Sequence, residues 1–328
     1  MIISKTPYRI SFFGGGTDYP DFYKKYGGAT LSTSINKYCY INVREFPPFF
    51  DHNYRIVYSK NECTKTIDEI QHPSVRETLR FVGLTNGMEV THIGDLPART
   101  GLGSSSAFTV GLLNALYAFK GVYASKKRLG EEAIHIEQDI IKENVGSQDQ
   151  LATAFGGFNR IEYSAEGFRI TPVILSPECR AHLAGNLVMV FTGISRIAST
   201  VAAEQIKTID QKVNELKQMQ ALVDIGQEIL ASSCVDDFGR LLNDTWRLKR
   251  SLTGKISNLD IDEMYQAAMD NGALGGKLLG AGGGGFMLFY VPKEKRIGFN
   301  SFFHKQIQVP VGFDTNGTRI IYCNEKGI

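Results

Sequence analysis

Hydrophobic and polar positions along the chain switch between a period of two and a period near 3.6. Residues 2–13 (IISKTPYRISFF) are apolar and aromatic around Arg9 and predict a strand, which runs into the turn Gly14-Gly15-Gly16-Thr17-Asp18. Residues 31–46 alternate, with Tyr38, Tyr40 and Asn42 on one face and Cys39, Ile41 and Val43 on the other. Pro47-Pro48 ends that run, because proline cannot donate to a ladder. Residues 54–60 predict another strand. At residues 103–119 the period changes: Ser104-Ser105-Ser106 precede Ala107, Val110, Leu112, Leu113, Leu116 and Tyr117, and serines ahead of such a stripe mark a helix start. A second helix is expected over 125–143, with Leu129, Ala133, Ile136 and Ile140 inward, and His135 packed beside them. The clearest helical pattern covers 199–232, where Ile206, Ile209, Val213, Leu216, Met219 and Leu222 step by three and four. Continuous apolar runs at 186–192, 285–291 and 318–323 predict strands.

Mixed strands and helices without a repeat imply an α/β or α+β class. The segment 164–185 holds two prolines and two glycines ahead of the strand at Asn186. It divides the chain into expected domains at 1–180 and 181–328, a partition that suits 328 residues.

Composition narrows the function. Lys+Arg 36 against Asp+Glu 34 leaves a net charge of +2, which gives no electrostatic reason to expect nucleic acid or a membrane surface as partner. Hydrophobic residues at 43% and charged residues at 21% fit a globular chain. Cys39, Cys63, Cys179, Cys234 and Cys323 form no CxxC pair and no metal-spaced cluster, and they read as reduced thiols of a cytoplasmic protein. The N-terminus has no signal-peptide pattern. The longest apolar stretch, Leu278 to Val291, carries five glycines and is too short to span a bilayer. Homo-oligomerisation is left open.

The 34 glycines are concentrated where chemistry is expected. Pro97-Ala98-Arg99-Thr100-Gly101-Leu102-Gly103-Ser104-Ser105-Ser106-Ala107 is a glycine loop entering a helix start. Glycines let backbone N–H groups approach a phosphate, the helix amino end adds unpaired donors and partial positive charge, and serine hydroxyls can bind phosphate or Mg²⁺. No Lys follows as in a Walker loop, and a plain serine-capped turn is the alternative. The turn at Gly14–Gly16 is by itself an ordinary tight turn. The run Gly282–Gly285, ahead of Phe286, is costly in chain entropy and implies a backbone that passes close to something.

In this order the three segments resemble the GHMP sugar and isoprenoid kinases, whose signature is the PxxxGLGSSSA string, and the resemblance covers essentially the whole chain. It implies a two-domain α+β fold, with an N-terminal half like ribosomal protein S5 domain 2 and a ferredoxin-like C-terminal half. It implies ATP on the central loop, bound through Pro97, Gly101, Leu102, Gly103, Ser104, Ser105 and Ser106, with Mg²⁺ on Ser104 and Glu137. The neighbouring Glu131, Glu132 and Asp139 are expected to face water. Asp149, in Gly146-Ser147-Gln148-Asp149-Gln150, matches the family's base, which accepts or orients the acceptor's hydroxyl proton; taken alone it reads as a helix cap or a solvated charge. Arg9 matches the cation between donor and acceptor, and an Arg amid Tyr8, Ile10 and Phe12 is an odd choice for a solvated face.

Thr17 and Asp18 match the sugar-binding pair, and Gly282 to Gly284 are expected to close over the sugar and phosphoryl region. Within the family, RISFFGGGTDYPDFY and GSQDQ look most like the branch that phosphorylates the anomeric hydroxyl of D-glycero-D-manno-heptose 7-phosphate on the way to GDP-heptose; fucokinase-like kinases come next. Such an acceptor brings a dianion. Gly193 and Arg196 are candidates to meet it, with Arg99 and Lys277 as further contributors, although a similar TGxxR string occurs in relatives acting on unphosphorylated sugars. The adenine contacts are expected from residues 40–65. A non-catalytic sugar and nucleotide sensor is the rival from another class, and it predicts degraded catalytic positions. RNA binding through the S5-like half lacks the basic patch it requires.

Overall fold

The computed structural model describes residues 1–194, 198–232 and 235–324. The expected strands form with small shifts of their ends. Strand β1 (Ile2–Phe13) lies in a large sheet between β12 (Arg319–Cys323) and β2 (Gly28–Glu45). Beyond β2 come β5 (Met88–Gly94), β3 (Tyr54–Val57) and β4 (Asn61–Thr64); β6 (Phe158–Ser164) pairs with the first half of β2 and with β7 (Gly167–Pro172). In β2 the alternation holds as read: Cys39, Ile41 and Val43 are buried, and Tyr38, Tyr40 and Asn42 lie half-buried on the other face.

The second sheet has the order β11 (Gln308–Pro310), β8 (Leu187–Phe191), β10 (Phe286–Tyr290), β9 (Gly275–Leu278), all antiparallel. Taken in chain order this is 4-1-3-2, the split βαβ pattern of a ferredoxin-like sheet. The mixed α+β class, with one sheet in each half and a ferredoxin-like order in the second, therefore stands as expected. The boundary near 180 falls inside α6 (Pro177–Asn186), and β12 returns to the N-terminal sheet, so a cut there does not separate the two sheets. One apolar core joins them, from Phe12, Phe13 and Leu31 to Phe238, Leu242 and Tyr290.

Helix α3 (Ser104–Phe119) packs against β1 and β2 and is buried nearly all round from Ser106 to Leu113. A helix apolar on every side suits this central position, and Gly111 lets β1 approach it, with the Ser4 hydroxyl donating to the Gly111 carbonyl at 2.7 Å. Two helical expectations change. The pattern over 199–232 is two helices, α7 (Ala198–Thr208) and α8 (Val213–Ser232), because a 3₁₀ turn at Ile209–Gln211 breaks the ladder. The helix expected over 125–143 is α4 (Lys126–His135) followed by a π-turn, Ile136–Ile140. The wider turn rotates the face: Leu129, Ala133 and Ile136 are buried, but Ile140 is exposed. His135 is exposed and pairs with Asp139 at 2.7 Å rather than packing in the core. Cys39, Cys63, Cys179 and Cys323 are free thiols, and Cys234 lies outside the described residues. No described helix is long and apolar enough to cross a membrane.

The return of β12 depends on two left-handed glycines, Gly156 (φ +71°) and Gly317 (φ +69°), packed backbone to backbone. A Cβ at Gly156 would stand inside the Gly317 backbone. Gly156→Ala should lower the unfolding free energy by about 1–3 kcal/mol, read from the urea midpoint; an unchanged midpoint would show that this contact does not hold the last strand in place.

Candidate active site

Three elements converge on the amino end of α3. Arg9 lies in the middle of β1, buried, with its backbone N–H on the Leu102 carbonyl at 3.0 Å. Its Nη1 donates to the Gly101 carbonyl at 2.6 Å, and its Nε and Nη2 each donate to Asp149, on Oδ1 and Oδ2, at 2.7 Å. Asp149 sits in the first turn of α5 (Gln148–Phe155) and remains 28% exposed. Its Oδ2 would stand 3.3 Å from a Cβ on Gly103, so it lies directly beside the start of α3. A two-pronged guanidinium–carboxylate pair fixes both side chains and leaves one carboxylate edge toward solvent.

The α3 amino end is open to an anion. Its cap is Gly103 in the left-handed region (φ +68°), and among the described residues no side chain accepts from its first amides. The plain serine-capped turn is therefore not what forms. The Ser104 hydroxyl instead accepts the Arg99 N–H at 3.2 Å, with Arg99 itself at φ +63°. The two glycine loops interlock. Cβ atoms on Gly101, Gly280 and Gly285 would run into Leu279, Gly101 and Thr100, and Phe286 N–H bonds the Thr100 carbonyl at 3.2 Å. Gly282 and Gly284 pack against Ile256 and Ile194, and Gly283 N–H is taken by the Ile256 carbonyl at 2.9 Å. The glycine run is thus explained mainly by close backbone packing. Gly282 and Gly283 are buried, and a Cβ on Gly282 would run into Ile256, against the expectation that it closes over a sugar.

Other expected contacts sort as follows. Asp18 is buried beside this cluster, accepting from Gly16 N–H at 2.9 Å and facing Gln148 N–H at 3.4 Å. Burial, and then the Asp149 charge, push its carboxyl above the usual range. The Thr17 hydroxyl is spent on backbone: it donates toward the Gly14 and Ala29 carbonyls at 2.7 and 2.9 Å and accepts Ala29 N–H at 3.2 Å. It shapes the turn, with Thr17 buried and its one hydroxyl proton spent on backbone. Gly193 is exposed at φ +75°, and Arg196 lies outside the described residues.

Glu137 is fully buried in the π-turn. Ser106 Oγ and Gln150 Nε2 donate to its Oε2 at 2.9 and 2.6 Å, and Oε1 has no hydrogen-bond partner among the described residues. Burial raises its pKa to about 7, against the nearby Thr109, Ser106 and Gln150 side chains, which lower it. The hydroxyl on Glu137 is thus that of Ser106, not the expected Ser104. A buried carboxylate oxygen without a partner, beside serine hydroxyls, fits an oxygen-loving divalent cation such as Mg²⁺. Glu131 and Asp139 are exposed as expected.

Two features were not singled out from sequence. Lys249, near the end of α9 (Val235–Arg250), is buried under the glycine loop. Beside α3, His72 stacks on Phe108 with centroids 4.7 Å apart, and Tyr58 and His92 stand edge-on to that pair. Only Tyr58 of these falls in the 40–65 window. The one available signal for Lys249 was its step of three from Trp246 on an apolar face.

The model of the GHMP kinases N terminal domain matches residues 65–157, and that of the GHMP kinases C terminal matches residues 227–297. The chain belongs to the GHMP kinases and is an ATP-dependent sugar kinase. It is 29% identical to a D-glycero-alpha-D-manno-heptose 7-phosphate kinase of Campylobacter jejuni over 90% of this chain and 91% of that one. It is 24% identical to a bifunctional fucokinase/GDP-fucose pyrophosphorylase of Arabidopsis thaliana, over 86% of this chain but 29% of that longer protein. In fold it resembles the crystal structure of a D-glycero-D-manno-heptose 1-phosphate kinase from Bacteroides thetaiotaomicron, with a TM-score of 0.82, 21% identity, and 99% and 100% of the two chains covered. The galactokinase of Lactococcus lactis complexed with galactose follows the same fold, with a TM-score of 0.74, 17% identity, and 97% and 94% covered.

The Glu137 carboxyl carries a pH signature. Its folded pKa, about 7, lies above the ordinary 4.5, so the folded state keeps a proton that the unfolded chain has lost. That contribution is fully present below about pH 4.5 and is lost as pH rises through about 7. Glu137→Gln keeps an acceptor for Ser106 and Gln150. Between pH 5 and 8, metal-free wild type should lose up to about 3 kcal/mol relative to this variant in urea unfolding; a difference that does not move with pH would contradict the buried carboxyl.

Proposed function

We propose that this kinase phosphorylates the anomeric hydroxyl of D-glycero-D-manno-heptose 7-phosphate, giving the 1,7-bisphosphate and ADP. The observation that carries the reading is the Arg9–Asp149 pair set against the uncapped amino end of α3. Phosphoryl transfer asks for placement, charge neutralisation and a route for one proton, and these residues offer all three. The nucleotide's phosphates would lie on the free amides of Ser104, Ser105 and Ser106, where the helix end favours negative charge. Asp149 would orient the sugar's O1 and accept its proton as O1 bonds to the γ-phosphorus and ADP departs. Arg9, shared between Asp149 and the Gly101 carbonyl, keeps the carboxylate aimed and offsets charge between donor and acceptor. Asp18, held by the Gly16 amide, would accept from a ring hydroxyl. Glu137, with the Ser106 hydroxyl, would hold Mg²⁺, which when bound neutralises the phosphates. The Tyr58, His72 and Phe108 rings beside α3 suit the adenine.

The choice of acceptor rests on the 29% identity to the heptose 7-phosphate kinase along nearly the full length of both chains. The structural relative is named for a heptose 1-phosphate, so the position modified is part of the test. ADP release should be followed with heptose 7-phosphate, heptose 1-phosphate, free fucose and mevalonate, with product position read by phosphorus NMR. Turnover of the 7-phosphate to a 1,7-bisphosphate is expected. An inert 7-phosphate alongside turnover of another acceptor overturns the assignment, and nucleotide binding without ADP formation supports the sensor reading. Asp149→Asn should lower kcat by about 10²–10⁴-fold; wild-type turnover in that variant removes Asp149 from the proton's route.

A further inference from the structure

Two lysines are buried at the junction of the sheets. Lys277, on β9, is 2% exposed; its Nζ donates to the Ser11 and Phe12 carbonyls of β1 at 2.9 and 2.7 Å. Lys249, on α9, is 7% exposed; its Nζ donates to the Leu278 carbonyl at 2.9 Å and to the Gly280 carbonyl. An ammonium has three N–H donors, so each lysine, once protonated, has one with no partner among the described residues. Among the described residues neither Nζ has a carboxylate within ion-pair distance. Buried ammonium groups usually carry a counter-ion, because a charge taken out of water without one is costly.

The place is specific. Lys277 grips β1 two and three residues beyond Arg9, and Lys249 grips Gly280, whose backbone packs on the Gly101 that Arg9 also holds. The charged groups facing the pair are Arg9 from β1, Asp18 from the turn after it, and each lysine toward the other. Arg9 is already taken by Asp149, and Asp18, the carboxylate that faces the lysines, is held by backbone amides.

We propose that Lys249 and Lys277 form an anion site beneath the C-terminal glycine loop that takes a phosphoryl dianion and gains a proton from solvent as it does so. The inference rests on the kinase reading and adds to it a binding site with its own proton. Lys249, the more exposed of the two and bonded to the half-buried Gly280, makes the contact, and Lys277 lies behind it. Burial lowers both lysines, Lys249 to about 7 and Lys277 further, each helped down by neighbouring cations. An arriving dianion restores the charged form, and the proton it needs comes from the buffer. The dianion has two sources: the phosphate carried by the acceptor and the terminal phosphoryl of the nucleotide.

The test is titration calorimetry at pH 8 in two buffers of different ionisation enthalpy, with heptose 7-phosphate, free mannose, inorganic phosphate and a non-hydrolysable ATP analogue as separate probes. Proton uptake with heptose 7-phosphate and inorganic phosphate, and none with mannose, assigns the site to the acceptor's phosphate. Uptake with the ATP analogue alone assigns it to the transferred phosphoryl. Lys249→Met should abolish the uptake and weaken the responsible ligand at least tenfold. Lys249→Arg, which keeps a permanent charge, should retain binding while losing its share of the uptake. No uptake with any phosphorylated probe, or Lys249→Met binding all of them as wild type does, overturns the proposal. The ADP assay separates this from failure of the kinase reading: an inert heptose 7-phosphate sinks that assignment, while inorganic phosphate and the nucleotide analogue still test the lysines.

Discussion

The site depends on one buried ion pair. Arg9 comes from the first strand and Asp149 from a short helix 140 residues later, and their two-pronged contact is made against the glycine loop that opens α3. Breaking a fully buried pair strands a charge at about 3–5 kcal/mol. Here Asp149 keeps 28% of its surface, so water screens part of that cost and leaves the carboxylate reachable. The pair closes the loop and presents the chemistry with the same bonds.

Around it, the molecule is built by letting backbones touch. Gly101 meets Gly280, and Gly285 meets Thr100, so the loop of the N-terminal sheet and the loop of the C-terminal sheet share a single interface. Lys249 and Lys277 stitch the same seam through main-chain carbonyls. The site is therefore formed by both halves at once, and the continuous core from Phe12 to Tyr290 keeps them in register.

Much of this was legible in the chain. The alternation of Cys39, Ile41 and Val43 placed a strand face correctly, because a period of two has one reading when one side is buried. The serine-headed helix was visible because a glycine loop and an apolar stripe meet there. Arg9 stood out as a charge in an apolar strand, and Asp149 depended on the family resemblance, since a lone Asp has bland explanations. What escaped was set by local geometry or by distant contacts. The π-turn at Ile136–Ile140 turned Ile140 outward and put Glu137 on Ser106, a shift of one helical step that periodicity does not resolve. The break at Ile209–Gln211 lies inside an uninterrupted stripe, because a 3₁₀ turn costs the pattern almost nothing. Thr17 looked like a polar sugar contact, and only the fold shows its hydroxyl spent on two carbonyls. Lys249 reads as one more basic residue at a helix end until the glycine loop is seen above it.

The central claim is that Arg9 and Asp149 act as one unit in turnover. A double-mutant cycle on kcat, with Arg9→Met, Asp149→Asn and the double variant, measures it most directly. The account predicts strong coupling, with the double variant no slower than the worse single variant. Losses that multiply independently would contradict it.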